Sequence, residues 1–415
     1  MASRPPAIVV GLDCITGLQT ARILAGSGVP VYGIVRDPKH FCARTRVCER
    51  ILRADATQEA VIDALARLGD ELDERGVLFP CTDISVRLIS RQRDRLIPRY
   101  HVVLPSEDVV ELLMDKASFC RFAQEGSLPI PPTRFLTTRA DALEAAETLR
   151  YPCTLKPALK TALWERSAPA KAFKVSHRGE FLAVYDRCAP WADVLIAQEW
   201  IAGGEENLYS CNCYFDRTAR PLVTFVARKL RQWPLETGTS SLGEECRNDI
   251  VMTETVRLFE SVRFHGLGYV EMKRDERTGE HFIIEPNIGR PTGRSAIAEA
   301  GGVPLLYTAY CDAVGLPVPA NLDQRYEGVK WIYWRADLQA AVVRGWRREL
   351  GLRDWLRSVR GRKVDAVFSW RDPLPFVLDS WTMLRTVVRA VAAALGAKIR
   401  RPVRGATSPP EIGTG

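Results

Sequence analysis

The stretch Tyr269–Arg294, YVEMKRDERTGEHFIIEPNIGRPTGR, decides how the rest of this 415-residue chain is read. Two short segments, Tyr269–Lys273 and Phe282–Asn287, flank a polar link in which Arg277-Thr278-Gly279 reads as a three-residue hairpin loop. Gly279 there is free to take positive φ. With Glu276 facing Glu280 across the loop, counting back along both strands sets Glu271 opposite Glu285. Side chains alternate faces along a strand, so Asn287 joins Glu285 while Ile284 and Pro286 point away. Opposed carboxylates repel, and a divalent cation between them removes the repulsion. An all-oxygen donor set suits a hard ion such as Mg²⁺ (or Mn²⁺), which keeps waters and takes substrate phosphates as its remaining ligands. The plainer reading is a pair of solvent-facing acids, and a one-residue slip would part them.

Composition sets the frame. The chain is long enough for two or three domains sharing a large core. Its 46% apolar and 26% charged residues are those of an ordinary globular protein. Eleven cysteines lie scattered without a CxxC pair or metal-ligand spacing, and read as reduced, mostly buried thiols. The N-terminal MASRPPAIVVGLDC has too short an apolar run for export, and nowhere does an apolar run approach the ~18 residues of a membrane span. The expectation is a cytoplasmic protein. A formal charge of +8 fits an anionic ligand or an arginine-rich surface. Much of the basic excess falls late, at Arg344, Arg347, Arg348, Arg353, Arg357, Arg360, Arg362 and Lys363, without the aromatic platforms or zinc spacing of nucleic-acid binders. No nucleic-acid partner is expected.

The N-terminal part alternates strand and helix: strand Ala7–Val10, a helix from Gly17, strand Val31–Val35, helix Gln58–Leu72, strand Val77–Pro80, helix Ile84–Leu96 and strand Val102–Leu104. That pattern predicts a small parallel α/β domain, residues 1–112. Gly11 and Gly17 do not form GxGxxG, and Arg36 stands where a ribose-binding acid would end the second strand, so a dinucleotide site is poorly supported. Cys81-Thr82-Asp83 lies just past a strand end, where such sheets hold ligands; a helix cap accounts for it equally well.

Further on, MDKASFCRFAQEGSLPIPPT predicts a helix from Met114 to Gln124 with Lys116 in its first turn. A lysine there opposes the helix dipole and points to a nearby anion. In YPCTLKPALK, Lys156 is the one charge in an apolar strand, either snorkelling or facing a phosphate. LIAQEWIAGGEEN then supplies a strand, two glycines and the adjacent acids Glu205 and Glu206.

The ordered set of Lys116, Lys156, Gln198-Glu199-Trp200-Ile201, Glu205/Glu206 and Glu271…Glu285-x-Asn287 resembles the ATP-grasp superfamily, in its carboxylate–amine ligase branch, over residues 1 to about 320. The resemblance implies an α/β chain, α+β in its ATP-binding part. The ATP-grasp domain would span 113–320, with a lid at about 117–195 and a metal-binding half at about 196–320, followed by a C-terminal extension, 321–415. It implies Lys116 and Lys156 on the α- and β-phosphates of ATP, and the backbone of Gln198 to Ile201 on the adenine edge with Ile201 against the ring. Either Glu205 or Glu206 would hold the ribose, and Glu271, Glu285 and Asn287 would hold Mg²⁺. Small-molecule carboxylate and amine substrates follow.

Two departures stand out. No glycine separates Lys156 from Lys174, where the family carries a glycine-rich phosphate loop, so Lys160, Arg166 or Lys171 would have to serve a side-chain lid. The arginine that relatives carry two positions after the asparagine comes one later, leaving Arg290 or Arg294 to reach a phosphate or a substrate carboxylate. Ala227–Ser241, ARKLRQWPLETGTSS, reads as a loop in which Arg228, Lys229 and Arg231 line an acceptor site or merely the surface. The segment after Arg294 reads as two helices split by Gly301-Gly302. KWIYW and AVFSW read as late strands. Thr382–Leu395 reads as an apolar helix carrying Arg385 and Arg389, which packs on the body or on a second copy in a homodimer, or lies on a membrane surface. SPPEIGTG reads as a disordered tail. Beside the ligase stand two other functions: a nucleotide-binding regulatory or scaffold protein, and a dehydrogenase built on the N-terminal unit.

Overall fold

The computed structural model describes residues 4–158, 162–168, 172–235 and 238–385. Lys160, Lys171 and the terminal SPPEIGTG fall outside these residues, and the helix expected at Thr382–Leu395 is described only as far as Arg385.

Near-continuous apolar runs build the first layer. β1 (Ala7–Val10), β2 (Val31–Val35), β3 (Arg50–Arg53), β4 (Gly76–Pro80) and β5 (Tyr100–His101) form a parallel sheet in the order β3-β2-β1-β4-β5. β1 and β4 are buried throughout because helices cover both faces. The edge strand β3 had no sequence signal: RILR is largely exposed, and pairing with β2 rather than hydrophobicity makes it a strand. The expected strand Val102–Leu104 sits two residues earlier, at Tyr100–His101. Gly17 proves to be a packing residue, since a Cβ there would lie 2.4 Å from the Gly11 carbonyl oxygen.

Four antiparallel strands make a second unit: β6 (Thr133–Leu136), β7 (Cys153–Pro157), β8 (Phe173–Val175) and β9 (Leu195–Glu199), in the order β6-β9-β7-β8. Its core, including Leu155, Phe181, Tyr185 and Ala197, is its own. The third sheet holds β10 (Leu208–Phe215), β11 (Pro221–Trp233), β12 (Thr239–Glu245), β13 (Gly266–Arg274), β14 (His281–Ile288), β15 (Lys330–Ile332) and β16 (Lys363–Asp365), ordered β14-β13-β10-β11-β12-β15-β16. One buried cluster runs from Val9 and Leu24 in the first layer to Phe225 and Ala227 on β11 and Ala309 on the helix Leu305–Val314. The parallel sheet and the large sheet are therefore joined by a shared core, while the four-stranded unit packs as a separate body.

Two late expectations change. Ala227–Trp233 is not a loop but the second half of β11, and the turn is confined to the residues around Pro234. KWIYW supplies β15, whereas the second late strand is Lys363–Asp365 rather than AVFSW. Both strands lengthen the large sheet, and the C-terminal segment is tied to the body. Arg22 donates to Asp372 Oδ2 at 2.9 Å and to the Val367 carbonyl at 2.7 Å. Asp337, fully buried, pairs with Arg231 at 2.8 Å and accepts from Trp355 Nε1 at 2.9 Å.

Candidate active site

β13 and β14 form the expected hairpin, with Glu271 directly opposite Glu285. The route to that register differs from the count along the sequence. Asp275, not Glu276, pairs with Glu280 across a four-residue loop closed by Gly279, whose φ is +77°. A bulge then inserts Ile284, so that Met272 faces Ile283 and Glu271 still faces Glu285. The two offsets cancel. The bulge also turns Ile284 toward the cleft it was expected to avoid, where it lies beside Glu285 and Asn287.

Burial, reinforced by the charge of Glu271, pushes the Glu285 carboxyl above the ordinary range. Glu271 is approached by Lys229 Nζ and Arg294 Nη2, each at 3.9 Å, too far for a hydrogen bond. Asn287 Nδ2 is buried without a partner, and such orphaned groups mark places where function rather than folding sets the side chain. Among the described residues no group of three or more His, Cys, Asp or Glu could hold a metal alone. Two carboxylates and an amide oxygen fit Mg²⁺ if phosphate oxygens complete its shell.

The lysines come to the same place. Asp115 caps the helix Lys116–Glu125 by accepting from Ser118 N at 2.8 Å, which fixes Lys116 at its first position. Lys156 projects from β7, held at 3.1 Å by Gln198 Oε1, whose amide nitrogen donates to Thr133 Oγ1 at 2.9 Å. Lys116, Lys156, Glu285, Asn287, Asp83 and Arg290 line one cleft of ≈ 330 Å³. Burial, then the neighbouring Lys116 charge, lowers the pKa of Lys156. A cation destabilised in this way gains most from an arriving anion. Arg166 sits exposed on the short helix Ala162–Ser167.

The stretch expected at the adenine is placed differently from the phosphate groups. Glu199, Trp200 and Ile201 line a separate cavity of ≈ 570 Å³ behind the strand, with Pro131, Pro132 and Arg277. The Glu199 and Trp200 amides already donate to the Pro132 and Pro152 carbonyls at 3.0 Å. Trp200 lies between two cations, Lys174 at 4.2 Å and Lys273 at 5.5 Å from its ring centroid. The ribose candidates also separate. Glu205 is buried, bonded to Gln232 N at 3.1 Å and paired with Arg344 at 2.8 Å. Glu206 is exposed.

A second cavity, ≈ 650 Å³, adjoins the lysine cleft through Ile284, Glu285, Asn287 and Arg290. Arg290 donates to Asp83 Oδ1 at 2.5 Å, Tyr269 Oη at 2.8 Å and Asn287 Oδ1 at 2.7 Å. Asp83 thus reaches the site, while Thr82 caps its helix. Arg294, almost fully buried, donates to Ser240 and, at 2.9 Å, to Ser210, leaving its Nε without a partner. Arg228 does not arrive: it pairs with Glu244 at 2.7 Å on the other face of β11. Lys229, the next residue, lines the cavity instead, and burial lowers its pKa while Glu271 opposes that shift. Thr16 from the first layer and Trp331 and Tyr333 from the C-terminal segment complete the wall. Nothing in sequence spacing pointed to the last two, since β15 joins the sheet from far along the chain.

No family model matches the sequence. The chain is 24% identical over 325 residues to the D-aspartate ligase of Enterococcus faecium, covering 69% of this chain and 74% of the relative. It is 22% identical over 268 residues to D-alanine–D-alanine ligase B of Pseudomonas putida, covering 56% and 79%. Among solved structures it resembles N5-carboxyaminoimidazole synthetase from Staphylococcus aureus, with a TM-score of 0.61, 14% identity and 78% and 80% of the two chains covered. The biotin carboxylase domain of Hydrogenobacter thermophilus 2-oxoglutarate carboxylase, solved with MgADP, aligns with a TM-score of 0.59, 13% identity and coverage of 77% and 72%.

Proposed function

We propose that this chain, an ATP-grasp protein by its fold and its relatives, is an ATP-dependent carboxylate–amine ligase that makes an amide or peptide bond. In this reading a substrate carboxylate oxygen attacks the γ-phosphorus of ATP and ADP leaves. The amine then attacks the acyl phosphate and expels inorganic phosphate, losing a proton. Magnesium would supply charge neutralisation at the phosphates. The single observation that carries the reading is the facing of Glu271 and Glu285 on the wall of adjoining cavities that also receive Lys116 and Lys156. Phosphoryl transfer needs placed cations and a shielded site more than a nucleophile on the protein.

Each side chain has a role in that chemistry. Lys116 and Lys156 would hold phosphates, and Glu271, Glu285 and Asn287 would hold Mg²⁺ (or Mn²⁺ as a hard substitute). Arg294, braced by two serines with Nε unused, would grip a substrate carboxylate or the leaving phosphate together with Lys229. Arg290 would set Asn287 and Tyr269. Glu206 is preferred to Glu205 for the ribose, because Glu205 is engaged by Arg344. Gln198 to Ile201 remain the adenine segment in this proposal. Substrates are small acids and amines. No helix among the described residues is long and apolar enough to cross a membrane, and a cytoplasmic enzyme is the setting we adopt.

The test is ADP release with Mg²⁺ over a panel of amino acids and small acids, with hydroxylamine added to trap acyl phosphate. Hydroxamate from one acid is the expected result. Tight ATP binding with no ADP or hydroxamate from any acid would sink the ligase and leave a nucleotide-binding regulatory protein, the reading favoured by the absence of glycine between Lys156 and Lys174.

A further inference from the structure

The wall of the ≈ 650 Å³ cavity carries hydrogen-bond donors that the protein itself leaves unused. Among the described residues lining it, three buried side-chain atoms have no partner: Asn287 Nδ2, Arg294 Nε and Trp331 Nε1. All three donate and none accepts. Leaving a buried donor unpaired is costly, so three around one cavity mark a ligand that arrives with acceptors. Asn287 and Arg294 already have places in the ligase chemistry. Trp331 has none, although it is the most enclosed of the three at 2% exposure and a buried indole N–H usually finds a partner.

The sheet explains its position. Gly243 on β12 pairs with Lys229 of β11 on one side and with Trp331 of β15 on the other. Direct cross-strand partners share a face, so Lys229 and Trp331 flank Gly243 on the cavity side. A Cβ at Gly243 would lie 3.1 Å from Arg294 Cδ, so the arginine stem crosses the sheet over a residue with no side chain. Lys229 and Arg294 both approach Glu271 Oε1 at 3.9 Å, which sets them at the acidic hairpin. Trp331 stands two strands beyond Lys229, about 10 Å farther from that hairpin. The nearby Tyr333 offers its ring alone, since its hydroxyl donates to Asp379 Oδ1 at 3.1 Å and accepts from Arg335 Nε at 2.7 Å. An indole N–H selects an oxygen with a free lone pair over a methyl or an ammonium group.

We propose that Trp331 determines which acid this cavity takes, its indole N–H donating to a carbonyl or carboxylate oxygen at the end of the substrate remote from its reacting carboxylate. The proposal rests on the ligase reading for the placement of the acid, and its test reads binding rather than turnover. Acids are titrated by calorimetry into the full chain with Mg²⁺ and a non-hydrolysable ATP analogue present. Succinate, succinamate and butyrate form one series, and glutarate, glutaramate and pentanoate a second, each plain or with an α-amino group of either configuration. In at least one series the carboxylate- or amide-ended member is expected to bind about tenfold or more tightly than the methyl-ended one. Which of the two does so tells a second acidic group from a neutral carbonyl. Trp331→Phe keeps a ring and removes the N–H. It should lower that ratio about tenfold and leave affinity for the methyl-ended acid unchanged, with a cooperative melt as the check on its fold. Equal wild-type affinities within every series, or no binding by any member, overturn the proposal without need of the variant. A ratio that survives Trp331→Phe gives the remote oxygen to Lys229 and Arg294 and overturns it too. A Trp331-dependent ratio without hydroxamate from any acid would sink the ligase reading alone.

Discussion

Glu271 on β13 and Glu285 on β14 are cross-strand partners on one wall of the cleft, and the Glu285 carboxyl is pushed up by burial and by its neighbour's charge. An arrangement that costs the empty protein stability while serving its ligand predicts opposite effects from one substitution. Glu285→Gln should stabilise the metal-free protein by ~1 kcal/mol, seen as a higher melting midpoint. The same change should cut Mg²⁺-dependent ADP release by about 10³-fold or more. A Glu285→Gln enzyme with full turnover would remove the metal assignment.

Lys156 is largely shielded from water, has Gln198 as its bonded neighbour and has its pKa lowered by burial and by Lys116. Lys156→Met keeps the apolar stem and deletes the charge, so folding should be unharmed. ATP affinity by calorimetry should fall about 10- to 100-fold, the worth of a charge-assisted phosphate contact. Unchanged affinity would place the phosphates elsewhere.

Glu205 is buried and paired with Arg344, its neighbour Glu206 is exposed, and the proposed function gives the ribose to Glu206. Removing Arg344 leaves a buried carboxylate without its ion pair, so Arg344→Ala should cost roughly 2–4 kcal/mol in denaturant unfolding. Glu206→Ala should leave unfolding within ~0.5 kcal/mol and weaken ATP binding instead. The reverse pattern would hand the ribose to Glu205.

Arg228 and Lys229 offer a similar contrast along β11. Arg228 is paired with Glu244 in a part-exposed bridge, a contact worth about 1 kcal/mol or less. Arg228→Ala should therefore change kcat/KM little. Lys229→Ala, which empties a cationic position beside Glu271, should lower kcat/KM by at least about tenfold without moving the melting midpoint downward. Equal effects on both would mean that the face of β11 has been misassigned.

Glu299, on the helix Ala296–Ala300, has its carboxyl raised to about 8 by burial, partly offset by the Leu306 amide that donates to it at 3.0 Å. The folded state therefore keeps a proton that the unfolded chain releases near the ordinary 4.5. Stability should fall as pH rises from about 5 to about 8, by on the order of 3 kcal/mol. Glu299→Gln should flatten that slope in melts across the window. A wild-type curve already flat there would refute the shift.

Parts of the site were legible because they depend on local chemistry. A lysine in the first turn of a helix marks Lys116 as a candidate, a lone charge in an apolar strand marks Lys156, and a hairpin with opposed acids marks Glu271, Glu285 and Asn287. The hairpin count reached the right pair through two compensating errors, because neither a four-residue loop nor a bulge at Ile284 has a composition that spacing alone reveals. Spacing alone left Arg228 and Lys229 equivalent: which of two adjacent basic residues faces the cleft depends on the register of β11 in the sheet, where Arg228 pairs with Glu244 and Lys229 with Gly243.

By itself the sequence determined the periodic features: a buried parallel sheet from apolar runs, a hairpin bearing acids, and the order in which they come. Those depend on near neighbours along the chain, which the sequence displays. Only tertiary structure decided that Glu205 belongs to Arg344, that Asp83 meets Arg290, and that Trp331 and Tyr333 wall the site. Each of these joins residues distant in sequence, and such meetings are fixed by how sheets share a core rather than by any local pattern of side chains.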